Sequence, residues 1–99
     1  MNMQALMRQA QNMQKEILKS KEEIDGMEFT ATSSFVTVKV NGKKEVLSVK
    51  INVDSDFELD DMEILEEMIQ VALTDAFKQV DKETEKKLGK YSNMMPGLL

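Results

Sequence analysis

Ninety-nine residues suffice for one domain, and 18 acids against 13 bases leave a net charge of −5. Neither cysteine nor histidine occurs, which removes disulfides, thiolate and imidazole metal sites, cysteine nucleophiles and histidine-based triads. The opening Met1-Asn2-Met3-Gln4 lacks the blocks of a signal peptide, and no apolar run approaches the ~18 residues of a membrane span, so a cytosolic protein without a membrane partner is expected.

The spacing of Met3, Leu6, Ala10, Met13, Ile17 and Ile24 predicts a helix over Asn2–Glu23, a rod of about 33 Å. Ser20 is the one polar break in this seam, and Met7 and Leu18 widen it. Gln4, Arg8, Gln11, Lys15 and Lys19 fall together on one flank at helical spacing. Asp25-Gly26 ends the helix, with Gly26 free to take a left-handed cap.

Met27 to Ser33 alternates Met27, Phe29 and Ala31 with Glu28, Thr30 and Thr32, as a strand does, and Ser33-Ser34 is a turn. Phe35–Val53 then carries the clearest pattern in the chain. Val36, Val38 and Val40 alternate with Thr37 and Lys39, and Leu47, Val49, Ile51 and Val53 with Ser48, Lys50 and Asn52. Between them stands Asn41-Gly42, a strong hairpin signal. A two- or four-residue loop puts both apolar rows on one face, and a three-residue loop would separate them, so the shorter or longer loop is expected. The apolar face needs a cover, which the flanking helices are expected to supply.

Asp54 to Glu58 is a connector. Asp60 as N-cap and Glu63 three residues on form an expected capping box, with Leu59 and Ile64 placed for a hydrophobic staple. Leu65, Met68, Ile69, Ala72, Ala76, Phe77 and Val80 form the apolar stripe of a second long helix. Beyond Val80 the sequence is polar all round up to Leu88, and Gly89 stops the helix. The last ten residues, from Lys90, read as a tail, and the domain is placed at 1–90 with a tail at 91–99.

The fold class is therefore α+β, in the order α-β-β-β-α, with a three-stranded antiparallel meander and two long helices. A seven-residue strand spans about 23 Å, whereas the second helix spans about 40 Å. Surplus apolar surface on both helices points to an intertwined two-fold homodimer, with Met3, Leu6, Met13, Ile17, Leu65, Ile69, Ala72 and Ala76 as the expected seam.

These pieces resemble the YbaB/EbfC family of bacterial nucleoid-associated proteins. Residues 2–14, from Asn2 to Gln14, look like that family's Gln- and Met-rich first helix. Phe35–Val46 is similar to its Val-x-Val-x-Gly-x-x-Glu-Val hairpin, Asp60–Ala76 to its acid-rich cap and following helix, and Met95-Pro96-Gly97-Leu98 to its closing motif. Ala31-Thr32-Ser33-Ser34 departs from the Gly-rich step usual before the second strand. The resemblance implies a tweezer-shaped homodimer that binds double-stranded DNA, sits on the cytoplasmic nucleoid and influences expression.

Charge is segregated in a way that suits such a role. Nine acids and no base lie between Asp54 and Asp75, while the remainder carries 13 bases and 9 acids, a balance of +4. The candidate DNA-binding residues are Arg8, Lys15 and Lys19 on the first helix and Lys78, Lys82, Lys86, Lys87 and Lys90 on the second. The latter set begins where the apolar stripe fails, so a helix end projecting into solvent is expected. The alternative for Lys82 and Lys86 is pairing with Asp81, Glu83 and Glu85 along the helix. A single arginine gives little support to guanine readout, so backbone contacts with low sequence preference are expected. Lys39, Lys43, Lys44 and Lys50 read as guards of the hairpin edge and tip.

The run from Asp54 to Asp61 fails the calcium-loop pattern, with Leu59 at the sixth position and Leu65 at the twelfth, and is better read as helix capping. Those acids would also keep phosphates near the basic ends. Adjacent Glu66 and Glu67 do not face each other on a helix, so no enzyme, cofactor, metal or small-molecule substrate is expected. The rival function is a protein-interaction module whose Met-rich seams grip a recombination or replication factor; the net charge of −5 and the scarcity of aromatics for base stacking favour it.

Overall fold

A computed structural model describes residues 2–92 of the chain. Met1 and the closing motif Met95-Pro96-Gly97-Leu98 lie outside the described residues, as does all of the expected tail beyond Ser92. The elements are helix α1 (Met3–Asp25), strands β1 (Glu28–Ser33), β2 (Val36–Asn41) and β3 (Val46–Ile51), a 3-10 turn (Leu59–Asp61), helix α2 (Met62–Leu88) and a final 3-10 turn (Gly89–Tyr91). The strands form one antiparallel sheet in the order β1-β2-β3, which is the expected meander.

The apolar rows of β1 and β2 are buried because α2 lies across them. Phe29, Ala31, Val36, Val38 and Val40 pack against Leu65, Ala72, Ala76 and Val80 in one core. The small Ala72 and Ala76 let helix and sheet approach closely, and both are fully buried. α2 covers two strands, not three. On β3, Val46, Leu47, Val49 and Ile51 remain 43–47% exposed, although Val49 pairs with buried Val38 and Ile51 with buried Val36. α1 takes no part in this core, contrary to the expectation that both helices cover the hairpin.

The hairpin reaches its expected parity by an unexpected route. Its loop is the three-residue Gly42-Lys43-Lys44, closed by the Asn41 N–H donating to the Glu45 carbonyl at 3.0 Å. Asn41 Oδ1 accepts from the Lys43 and Glu45 N–H groups, and Lys44 takes φ 62°. That loop alone would turn the β3 row away from the helix. A bulge corrects it: Val40 pairs with Val46 and Lys39 with Ser48, so Leu47 is the extra residue and every later pair regains the apolar match.

Three terminal details also differ from expectation. Gly26 ends α1 in the right-handed region at φ −86°. The reciprocal cap before α2 forms two residues early, with Asp61 Oδ2 accepting the Glu58 N–H at 3.0 Å rather than Asp60 pairing with Glu63. Leu59 is then 87% exposed, so no staple with Ile64 forms.

The end of α2 is not free. Leu88, 1% exposed, and Tyr91 form a second core with Ile17 and Ile24, and half-buried Met13 joins it. α1 therefore runs along the part of α2 that has left the sheet. The result is a two-helix arm extending from a small sheet domain, in a molecule 72 Å long and 20 × 15 Å across.

Candidate nucleic-acid interface

The arm is fixed at its root by the hairpin tip. The Gly42 N–H donates to the Met27 carbonyl at 3.2 Å, and the Lys44 ammonium meets Asp81 of α2 at 2.7 Å. Asn2 Oδ1 accepts the Gln4 N–H at 3.0 Å and starts α1 at the far end. Every residue from Asn2 to Asn12 is exposed, and Met13 is the first that is not. The first turns of α1 run alongside Tyr91, which lines a groove with Ala5, Arg8, Gln9 and Asn12.

Burial of Ile17 and Ile24 fixes the rotation of α1. At 3.6 residues per turn, Arg8, Lys15 and Lys19 then lie on the side opposite the seam, with Gln4 and Gln11 beside them. Glu16 is the only acid between Met3 and Lys21. It is turned toward α2 and accepts a 2.9 Å hydrogen bond from the Tyr91 hydroxyl. The outer face of α1 from Gln4 to Lys19 thus carries Lys15 and Lys19, with Arg8 at its edge, where it lines a groove with Gln9, Asn12, Glu16 and Tyr91; exposed Glu22 follows Lys19 by three residues.

The α2 candidates divide. Lys78 and Lys82 are exposed and line a groove with Thr30, Thr32, Asp75 and Gln79, where Gln79 Nε2 donates to the Thr30 carbonyl at 3.0 Å. Lys86 is also exposed. Lys87 is the exception, bridging Glu23 of α1 at 3.4 Å and Glu83 at 3.9 Å, so it ties the two helices together. Lys90 stands 5.0 Å from the centroid of the Tyr91 ring. Among the described residues, no carboxylate lies within ion-pairing distance of Arg8, Lys15, Lys19, Lys78, Lys82 or Lys86. The ladder along α2 is thus Glu83–Lys87, not the pairs considered for Lys82 and Lys86.

The acids gather at the other pole. Asp54, Asp56 and Asp61 line the cavity beside the Ser34–Phe35 turn, at the opposite end of β2 from the hairpin tip that meets α1. Two of them hold backbone: Asp54 Oδ1 accepts the Asp56 N–H at 3.0 Å, as Asp61 does for Glu58.

The residues expected at a dimer seam also divide. Leu65, Ala72 and Ala76 are buried against the sheet and Ile17 against Leu88, all within one chain. Met13 and Ile69 are half-buried, while Met3 and Leu6 are 71% and 43% exposed. The β3 row Val46, Leu47, Val49 and Ile51 is instead a contiguous exposed apolar surface. Tyr91 is the packing residue that the sequence hid, since it stands in a stretch that reads as tail; an isolated aromatic three residues after buried Leu88 was the signal.

A family model described as the YbaB/EbfC DNA-binding family matches residues 1–95. The chain belongs to that family. It is a DNA-binding family rather than an enzyme family. A nucleoid-associated protein of Lactococcus lactis subsp. cremoris is 41% identical over 98 residues, covering 97% of this chain and 98% of that one. One from Ligilactobacillus salivarius is 34% identical over 100 residues, covering 99% and 95%. The crystal structure of an uncharacterised Helicobacter pylori protein superposes with a TM-score of 0.71 at 26% identity, over 87% of this chain and 91% of that one. This YbaB/EbfC member therefore shares its α+β architecture with a solved structure across most of its length. No helix among the described residues is long and apolar enough to cross a membrane.

Proposed function

We propose that this YbaB/EbfC protein binds duplex DNA as a homodimer, mainly through its backbone, and so helps to organise the nucleoid and influence gene expression. One observation carries the reading: the outer face of α1 presents Lys15 and Lys19, with Arg8 at its edge, and Glu16, the one acid between Met3 and Lys21, is held by the Tyr91 hydroxyl. Phosphate neutralisation supplies most non-specific affinity for DNA, and no carboxylate pairs with these three cations among the described residues. Lys78, Lys82 and Lys86 add exposed charge on α2; Lys87 and Lys90 contribute charge from more constrained positions. The acids at the sheet pole keep the duplex at the arms. The names of the bacterial relatives support a place on the nucleoid in the cytoplasm.

The homodimer rests on β3. Its exposed Val46, Leu47, Val49 and Ile51 continue a row that is fully buried on β2. An apolar strip at an open sheet edge invites a second copy, by face or by edge. Two copies give two arms. Met3 and Leu6, with half-buried Met13 and Ile69, are left for contacts between copies.

Sedimentation of the protein alone and with a short duplex tests the proposal. Two chains alone and two chains per bound duplex are expected. A monomer that binds DNA with undiminished affinity removes the dimer, and a dimer that leaves DNA free removes the function. One observation favours a protein-interaction module in that second case, namely the exposed Met3, Leu6 and Met7 on the free end of α1.

A further inference from the structure

Asn41-Gly42 at the hairpin tip holds a chemical reactivity that DNA binding leaves unused. Of the asparagines in the chain, only Asn41 precedes a glycine. The Gly42 nitrogen can close a five-membered imide on the Asn41 carboxamide carbon, and glycine has no side chain to hinder that approach. The fold cannot discard the pair, because it needs both members. A Cβ on Gly42 would meet the backbone of Ile24. Every polar group of Asn41 is engaged. Its N–H donates to the Glu45 carbonyl and its carbonyl accepts the Lys44 N–H, both at 3.0 Å. Its Oδ1 accepts the Lys43 and Glu45 N–H groups at 2.9 and 3.0 Å, and its Nδ2 donates to Glu45 Oε1 at 2.9 Å.

Two donors on Oδ1 polarise the carboxamide and favour attack at its carbon. The nucleophile is what the structure withholds. Gly42 must lose its amide proton to react, and that N–H is bound to the Met27 carbonyl at 3.2 Å. The Lys44–Asp81 ion pair, at 2.7 Å, pins the same tip to α2.

We infer that Asn41-Gly42 is a deamidation site, held silent while the tip is seated on α1 and opened when the tip lifts. In the lifted tip the Gly42 nitrogen gives its proton to hydroxide and bonds to Asn41 Cγ as the Cγ–Nδ2 bond breaks. Nδ2 takes a proton from water and leaves as ammonia. Water then opens the imide, and nothing is oxidised or reduced. Addition at Cγ gives aspartate. Addition at the main-chain carbonyl of residue 41 gives isoaspartate, whose backbone runs through Cβ and Cγ. Either product replaces the Nδ2 donor by a carboxylate facing Glu45. Isoaspartate also lengthens the backbone beside a glycine that has no room to shift toward Ile24. The isoaspartate tip therefore cannot reseat, and the root of the arm stays unfastened. The site is independent of the DNA-binding reading.

The test follows the full chain at one mildly alkaline pH, native and unfolded in guanidinium chloride, as wild type and as Asp81→Ala. Asp81 is exposed on α2, where alanine is a good helix former, so the fold survives this change. Peptide mass spectrometry, with chromatography that separates isoaspartate, counts conversion at Asn41. Amide hydrogen exchange reports opening at Gly42. Native wild type is expected to convert slower than the unfolded chain by about tenfold or more, the scale of one hydrogen bond and one ion pair. Asp81→Ala is expected to raise the native rate up to about fivefold and to leave the unfolded rate unchanged, since position 81 is remote in sequence. Exchange at Gly42 should rise by the same factor, because both reactions track the open fraction when reclosing is fast. The purified isoaspartate form is expected to lose protection at Gly42. No conversion in the unfolded chain overturns the site. Equal native and unfolded rates overturn the guard. An Asp81→Ala protein whose Gly42 exchanges faster while Asn41 converts no faster overturns the trigger. An isoaspartate form with wild-type protection at Gly42 overturns the unfastening.

Discussion

Gly42 lies so close to Ile24 that a Cβ on it would stand 1.8 Å from the Ile24 carbonyl oxygen and 2.4 Å from its carbon. The hairpin tip is pressed against the last turn of α1, backbone on backbone, and neither partner can yield as a flexible side chain would. Gly42→Ala is therefore expected to destabilise by about 3 kcal/mol, the upper range for overpacking. Denaturant unfolding measures it. A loss below about 0.5 kcal/mol, the size of an ordinary surface change, would show that the tip and α1 are not in contact.

Tyr91 holds the other end of the α1–α2 junction through Glu16. Tyr91→Phe removes the hydroxyl that satisfies Glu16 and is expected to cost about 1 kcal/mol. Tyr91→Ala also empties the second core beside Leu88 and Ile17 and is expected to cost about 3 kcal/mol. Hydrogen exchange is the more telling readout: protection should fall in α1 while β1 and β2 keep theirs, because the two cores are separate.

Ser34 sits at φ 52° in the two-residue turn between β1 and β2. A left-handed L-residue costs about 1–2 kcal/mol, which glycine avoids at some cost in unfolded-chain entropy. Ser34→Gly is expected to raise stability by about 0.5 kcal/mol net. A lowered melting temperature would contradict this. The Gly-rich step absent from this sequence falls at this turn, so the substitution asks what the departure costs.

The exposed β3 row carries the expected self-association. Val49→Asp and Ile51→Lys change side chains that are 43% exposed and lie outside the buried cluster under α2. Within a dimer each would bury an unpaired charge, at about 3 kcal/mol or more. Sedimentation should show these variants as monomers at concentrations where wild type is a dimer. Persistence of the dimer would place the interface elsewhere.

Much of the fold was legible because periodicity reports burial directly. The Val36-Val38-Val40 row and the Leu65–Val80 stripe each face the core that their spacing demands. The hairpin loop was not legible, since parity is a property of loop and bulge together, and Leu47 restores what Gly42-Lys43-Lys44 shifts. The arm was half legible. The failure of the stripe after Val80 marks where α2 leaves the sheet, but Leu88 and Tyr91 are too sparse to announce that α1 follows it. For the candidate site, the row Arg8, Lys15, Lys19 followed from helical spacing alone. That Lys87 bridges to Glu23, and that Glu16 turns inward, depends on the pairing of two elements distant in sequence, which no local pattern encodes.

The salt dependence of duplex binding tests the central claim most directly, measured for wild type beside a variant with Arg8→Gln, Lys15→Gln and Lys19→Gln. Each phosphate contact contributes about −0.9 to the slope of log affinity against log salt. Two arms that each lose three contacts should flatten that slope by about 5. Changing Lys87 alone to Gln, a residue already engaged with Glu23 and Glu83, should change the slope far less. A triple variant that binds with the wild-type slope would contradict the placement of DNA on the outer face of α1.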